Sequence, residues 1–239
     1  MKRSEINRVI KEMEDLIAEV NFALPPFCSW TPEEWQEKGH EYDEIRDNML
    51  GWDITDYGLG NFDKIGMGLI TLRNGSQHDA RYRKTYAEKL LFLRDDMISP
   101  MHFHWIKTED IINRGGGILM IQVYNDDGEG GLADTDVLVN SDGRSYYVPA
   151  GTEVRLEPGQ SLTLRPHQYH EFHVVQGSGS VLIGEVSQAN DDNTDNRFYE
   201  PVYRFPEIEE DEPPYRLLCN EYPEASDQVV REIGLSGDL

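Results

Sequence analysis

The sequence predicts a mainly β protein, a sandwich or barrel, with helices at its N-terminal end and an irregular acidic tail. Three observations carry that expectation. From about residue 62 onward, about eight short runs rich in β-branched and aromatic residues recur at roughly ten-residue spacing. Turn signals punctuate them at Asn74-Gly75, Asp142-Gly143 and Pro158-Gly159. Strands do not alternate regularly with helical patterns, which argues against a doubly wound parallel sheet.

The elements follow in order. Ile6, Val9, Ile10, Met13, Leu16, Ile17 and Val20 recur at intervals of three and four, so residues 4–20 read as an amphipathic helix with Ser4 as N-cap. Leu24-Pro25-Pro26 prevents its continuation. In TPEEWQEKG, Thr31 caps a second helix, Pro32 takes its first position, Glu34 completes a capping box and Gly39 is the stop. Trp30 and Trp35 read as packing residues. Strands are then expected in KIGMGLITLRNG, YAEKLLFLRDD, the HFH stretch, GGGILMIQVYNDD, VLVNSDGRSYYVPAG, EVRLEPGQSLTLRP and YHEFHVVQGSGSVLIGEVS. The division expected is a helical extension over residues 1–60, a barrel over 61–187 and a wrapping loop and tail over 188–239, one domain overall. The end of the tail is expected to fray.

Composition narrows the function. With 45 acidic against 22 basic residues the formal charge is −23, which repels nucleic acid and anionic membranes. The apolar runs are far too short to span a bilayer, yet 38% hydrophobic and 10% aromatic residues suffice for a globular core. Two distant cysteines, Cys28 and Cys219, form no disulfide framework, and the charged start KRSEINRVIKEMED is unlike a signal peptide. A reducing cytoplasm is the expected setting. The lone GGG at 115–117 lacks the spacing of a phosphate-binding loop.

Chemistry concentrates in PMHFHWIKTED, residues 100–110. On a strand, His102 and His104 point to the same side and can converge on one ion, while Phe103 faces the other way. Glu109 follows after four residues, enough for a bend that returns its carboxylate. Two neutral imidazoles and a carboxylate suit a divalent transition metal. RPHQYHEFH supplies His167, His170 and His173 as candidates for a fourth ligand, and the spacing alone does not choose among them.

HFHWIKTEDIINRGG resembles the first cupin motif, with His102, His104, Glu109 and Gly116 in its places, and PHQYH resembles the second. The resemblance implies a jelly-roll barrel and selects His170 as fourth ligand. Asp96 stands where the first motif usually has glycine, Gln168 where the second does, and Val174 in place of its later asparagine. Over most of its length the chain resembles the D-lyxose isomerase family, in the N-terminal helices, HFHWIKTED, PHQYHEFH and the distinctive GEVSQANDDNTDNRF. The resemblance implies interconversion of D-lyxose with D-xylulose and of D-mannose with D-fructose, manganese as the favoured metal, and, by analogy, a homodimer.

The residues suit that chemistry. Four protein ligands leave two octahedral positions for a pair of sugar oxygens, and a carboxylate base can carry a proton between C2 and C1. Glu185 shares a strand face with Val181 and Ile183 and is the first candidate for that base. Lys107, between His104 and Glu109, can stabilise enediolate charge. Lys89, in an apolar run, needs a partner if it points inward. Asp191, Asp192 and Arg197 lie on a loop able to close over a sugar, and the resemblance favours substrate binding by Asp192 and Arg197. A hydride shift is the rival path. A cupin dioxygenase and a non-catalytic sugar-binding cupin are the alternative functions.

Overall fold

The computed structural model describes residues 1–192, 194–203 and 207–226. The expected frayed end, residues 227–239, lies outside them. The chain opens with helix α1 (Arg3–Glu19), the short helices α2 (Pro32–Trp35) and α3 (Asp43–Asp47), and two single 3-10 turns between them. Fourteen strands follow among the described residues: β1 (Gly51–Thr55), β2 (Met67–Arg73), β3 (Tyr86–Leu93), β4 (Ile98–His104), β5 (Glu109–Gly116), β6 (Leu119–Asp126), β7 (Leu132–Ala133), β8 (Val137–Ser141), β9 (Arg144–Val148), β10 (Thr152–Leu156), β11 (Ser161–Leu164), β12 (Gln168–Val174), β13 (Val181–Gln188) and β14 (Asn196–Phe198). They form two antiparallel sheets, β1-β2-β3-β13-β5-β11-β8-β9 and β10-β6-β12-β4-β14, with β7 beside β6.

The chain switches sheets at its corners. Residues 105–108 carry it from β4 to β5, and Pro158-Gly159 carries it from β10 to β11. Leu91, Ile111, Leu119, Ile121, Leu162 and Phe172 fill the space between the sheets. Burial of such side chains stabilises a fold by about 1.5–3 kcal/mol each. Strand β1 falls inside the segment expected to be helical, residues 1–60, and β14 inside the expected wrapping loop. Both are short edge strands whose few residues give little periodic signal.

Turn chemistry separates the expected hairpins. Asp142 and Gly143, at φ 49° and 78°, make a tight two-residue turn between β8 and β9, as expected. Asn74-Gly75 does not close a tight hairpin: residues 74–85 form a long loop between β2 and β3. The Asn74 side chain instead donates to the Asn190 carbonyl at 2.8 Å. Asp96, where the related motif has glycine, takes a left-handed φ of 59°, a conformation that Asp tolerates better than most residues.

Helix α1 buries Ile6, Val9, Ile10, Met13 and Ile17 against the sheet. Gly68 of β2 makes the approach possible, since a Cβ there would come within 2.4 Å of Met13 Sδ. The N-cap is Lys2, not the expected Ser4, whose hydroxyl and amide both donate to Asp211. The capping box of Thr31 and Glu34 forms as expected.

The acidic tail is a strap over this helix. Asn7 donates to Glu212, and Cys219 N donates to the Trp52 carbonyl at 2.7 Å. Arg3, 2% exposed, pairs bidentately with Glu210 and also with Glu221. Breaking a buried ion pair leaves its partner uncompensated, and partial exposure of Glu210 moderates the cost. Arg3→Met is therefore expected to lower stability by about 2–3 kcal/mol and Tm by roughly 4–12 °C. Calorimetry checks this, and an unchanged Tm would remove Arg3 from the strap.

Candidate metal and sugar site

The site lies between the two sheets, at the end where the β4–β5 corner crosses. Alternation on β4 turns His102 and His104 inward, and the antiparallel register sets His170 of β12 directly opposite His102. The facing sheet contributes Glu109 from β5, Lys89 from β3 and Glu185 from β13, where Glu185 and Lys89 are paired in register. The corner holds Lys107 between them. One side thus offers imidazoles and the other charged groups.

The imidazoles present their ring nitrogens as metal ligands would. His102 Nδ1 donates to the Pro100 carbonyl at 2.8 Å, and His170 Nδ1 to the Gln168 carbonyl at 2.9 Å. A carbonyl only accepts, so each Nδ1 carries the proton and each Nε2 presents a lone pair. Those Nε2 atoms lie 3.1 Å apart. Burial, followed by the other imidazoles, holds His102 well below the ordinary histidine range. Burial also pushes His170 down to about 4, although Glu109 opposes it. Both rings are therefore neutral at pH 7, and their facing lone pairs repel unless a cation lies between them.

His104 and Glu109 complete the set. His104 Nε2 is 3.2 Å from Glu109 Oε1, which is 3.4 Å from His170 Nε2. Ligands bound at about 2.1 Å and at right angles sit about 3 Å apart, the spacing seen here. The buried His104 Nδ1 has no hydrogen-bond partner among the described residues. His102, His104 and His170 have their ligand atoms within 4.8 Å of one another. The donor set fits a divalent transition metal. His167 and His173 lie elsewhere, beside Asp126 and Glu153 at 3.0 and 3.9 Å.

Next to this set runs a ladder of alternating charges. Lys107 Nζ is 2.8 Å from Glu109 Oε2 and 2.7 Å from Glu185 Oε1. Lys89 Nζ is 3.2 Å from Glu185 Oε1 and 2.8 Å from both Asp192 oxygens. Lys107, Glu109, Glu185 and Lys89 are all buried, so each charge needs its neighbour. Burial lowers the Lys107 pKa, but Glu109, Glu185 and Asp192 together outweigh it and raise it above the usual lysine range. For Glu109, burial raises the pKa and His104 and Lys107 oppose it, leaving the carboxyl well below its usual range. Lys107 is thus a fixed cation, suited to stabilising charge rather than accepting a proton. Ser187 Oγ donates to Glu185 Oε1 at 3.0 Å and helps orient that carboxylate.

The structure brings together His102, His104, Glu109, His170, Lys107, Glu185, Lys89 and Asp192. It does not bring in Arg197. Asn196 and Phe198 of β14 line the pocket, and alternation turns the intervening Arg197 to the opposite face, where Nη2 donates to the Gly130 carbonyl at 3.2 Å. Its substrate-binding role, expected from the sequence, has no support in this position. Sequence reasoning missed Asp53 and Thr55, which line the pocket from β1. Their period-two burial was hidden because β1 is buried throughout. Phe172 stacks on His170, and Phe198 lies 5.2 Å from the His102 ring, which shields the imidazoles from water.

The chain matches known proteins along most of its length. The family model described as D-lyxose isomerase matches residues 1–222. A D-lyxose/D-mannose isomerase of Serratia proteamaculans is 47% identical over 223 residues, covering 93% of this chain and 98% of that protein. One from Escherichia coli O157:H7 is 46% identical with the same coverage. In fold, the chain is similar to the L-ribose isomerase of Acinetobacter sp. DL28 solved with L-ribose, at TM-score 0.57 and 13% identity, with 87% of this chain and 98% of that one covered. The Cellulomonas parahominis L-ribose isomerase without ligand gives TM-score 0.55 at 14% identity and the same coverage. With a family match over nearly all of the described chain, and with relatives close to half identical, this protein belongs to the D-lyxose isomerase family.

Proposed function

We propose that this protein is a metal-dependent aldose–ketose isomerase that interconverts D-lyxose with D-xylulose and D-mannose with D-fructose. The observation that carries the mechanism is the pairing of two sites in one pocket: facing imidazole lone pairs beside Glu109, and a buried carboxylate, Glu185, held between two lysines. His102, His104, Glu109 and His170 would hold a divalent ion, and we propose Mn²⁺. Bound there, the ion supplies Lewis acidity towards the carbonyl and neighbouring hydroxyl of the open-chain sugar.

The chain supplies the rest. Glu185 takes the proton from C2, giving an enediol, and returns it to C1, while the hydroxyl proton on O2 passes to O1. Lys107, a permanent cation 2.7 Å from Glu185, stabilises the negative charge that develops on the sugar oxygens. Lys89 and Asp192 orient hydroxyl groups by charge-assisted hydrogen bonds. This run of alternating charges suits a polyol better than the apolar substrate expected of a dioxygenase.

Two further readings accompany this one. Cys28 and Cys219 are both buried and neither is in a disulfide, which fits a reducing cytoplasm. Phe103, Trp105, Tyr169 and Tyr199 form an aromatic cluster on the outer face of the six-stranded sheet, near its β14 edge, with Trp105 and Tyr199 each 44% exposed; a homodimer would cover such a surface.

The function is tested by stripping the protein of metal, reloading it with Mn²⁺ and following D-lyxose in D₂O by NMR. D-Xylulose carrying deuterium at C1 is expected. Ketose without deuterium would replace the proton transfer with a hydride shift or a solvent-shielded base. No ketose from either aldose, with metal bound, would overturn the isomerase reading.

A further inference from the structure

The metal pocket is too small for the substrate. Its volume of about 40 Å³ holds about three waters, at ~10–15 Å³ each. That is room for the reacting carbons and their oxygens, not for a whole pentose. A second cavity of about 290 Å³ adjoins it, and the two share Leu69 and Asp192 as walls.

Strand β2 is the common floor. Met67 and Leu69 line the metal pocket, and Leu69 and Thr71 line the larger cavity. Residues two apart on a strand face the same way and lie about 7 Å apart, so the floor runs from apolar contact to a hydroxyl over one sugar's length. Thr71 is only 5% exposed and forms part of the cavity wall. A hydroxyl on that wall can donate to or accept from a sugar hydroxyl. The remaining walls include Asn74, Gln77 and Asn190, and their amides suit hydroxyl groups.

Resting on the isomerase reading, we propose that this cavity is the subsite for the distal hydroxyls of the open-chain aldose, with Thr71 as a specificity-determining contact. The sugar enters with C1 and C2 at the metal pocket, passes Asp192 and extends along β2 towards Thr71. The cavity also selects a neutral chain end. Asp47, Asp191 and Asp192 line it, and the described lining includes no lysine or arginine. Arg81, the nearest cation to Asp47, is spent on Asp47 and Asp79. Among the described lining residues, a terminal phosphate therefore meets three carboxylates and no lysine or arginine.

D-Mannose has the configuration of D-lyxose with one further carbon, so the pair reads the distal subsite. Steady-state kinetics on the Mn²⁺-loaded wild type, Thr71→Val and Thr71→Ser are the test. Removing one neutral hydrogen bond is expected to lower the D-mannose to D-lyxose ratio of kcat/KM by roughly 2–10-fold in Thr71→Val, mainly through KM. Thr71→Ser, which keeps the hydroxyl, is expected to retain the wild-type ratio. An unchanged ratio in Thr71→Val, or an equal loss in both variants, would overturn the subsite while leaving the isomerase reading intact. Turnover of D-mannose 6-phosphate at the rate of D-mannose would overturn it too. No ketose from either free sugar with wild-type protein would overturn the isomerase reading, and this inference with it.

Discussion

Glu185→Gln is expected to lower kcat by about 10²–10⁴-fold, the contribution typical of a positioned acid–base group. The substitution keeps the size of the side chain and its acceptor oxygen but removes the ability to hold a proton. Among the described residues Glu185 reaches the proposed metal ligands through Lys107, so bound metal should remain stoichiometric. The rate and the metal content together make the test specific. Low activity with full metal, and loss of deuterium exchange at C2 of the aldose, assign the proton path to Glu185. Activity within about tenfold of wild type, with metal bound, would take Glu185 out of that path. Lys89 and Lys107 would each lose a neighbouring charge in the variant, so a melting curve must accompany the kinetics.

The second large effect is expected at His170. His170→Ala removes one of the two lone pairs facing each other at 3.1 Å and the imidazole nearest Glu109 Oε1 after His104. Metal affinity is expected to fall by more than about 10²-fold, beyond what loss of an outer-sphere partner costs, and isomerisation to fall with it. Metal analysis after gel filtration reads this directly. His167→Ala is the matched control, because His167 is half exposed and paired with Asp126; it should bind metal normally. Because His170 is fully buried, circular dichroism should confirm that the variant folds. Stoichiometric metal in folded His170→Ala would break the proposed ligand set.

Much of this site was legible before any coordinates. His-x-His on a strand declares its geometry, since alternation alone puts both rings on one side. Glu185 was legible for the same reason: its face was set by Val181 and Ile183. The fourth ligand was not. His167, His170 and His173 are separated by threes, and only family resemblance favoured the middle one. In the structure, strand register sets His170 opposite His102, a relation between segments 68 residues apart that no local pattern encodes. Arg197 shows the reverse case. Its composition and its loop looked suited to a sugar, but the three residues of β14 pair with β4, and that pairing turns Asn196 and Phe198 inward and Arg197 away.

The tail and the lysines follow the same division. An acidic stretch rich in proline was expected to be irregular and to wrap the body, yet the partner of its described residues was invisible. Arg3 and Glu210 are separated by 207 residues, and each alone reads as a surface charge. Lys89 and Lys107 were ambiguous between solvent and interior for the same reason. Their partners come from β13 and from the loop after it, and the desolvation that makes those partners necessary exists only once the two sheets close.

Local covalent order therefore determined the fold class, the hairpin at Asp142-Gly143, the inward face of β4 and the chemistry of its two histidines, because strand alternation and turn conformation act over a few residues. Tertiary structure decided which histidine of β12 faces His102, the charge ladder, the position of Arg197 away from the pocket and the groove along β2. Each of those depends on which distant strands become neighbours and on the loss of water between them, and neither is a property of any short stretch of chain.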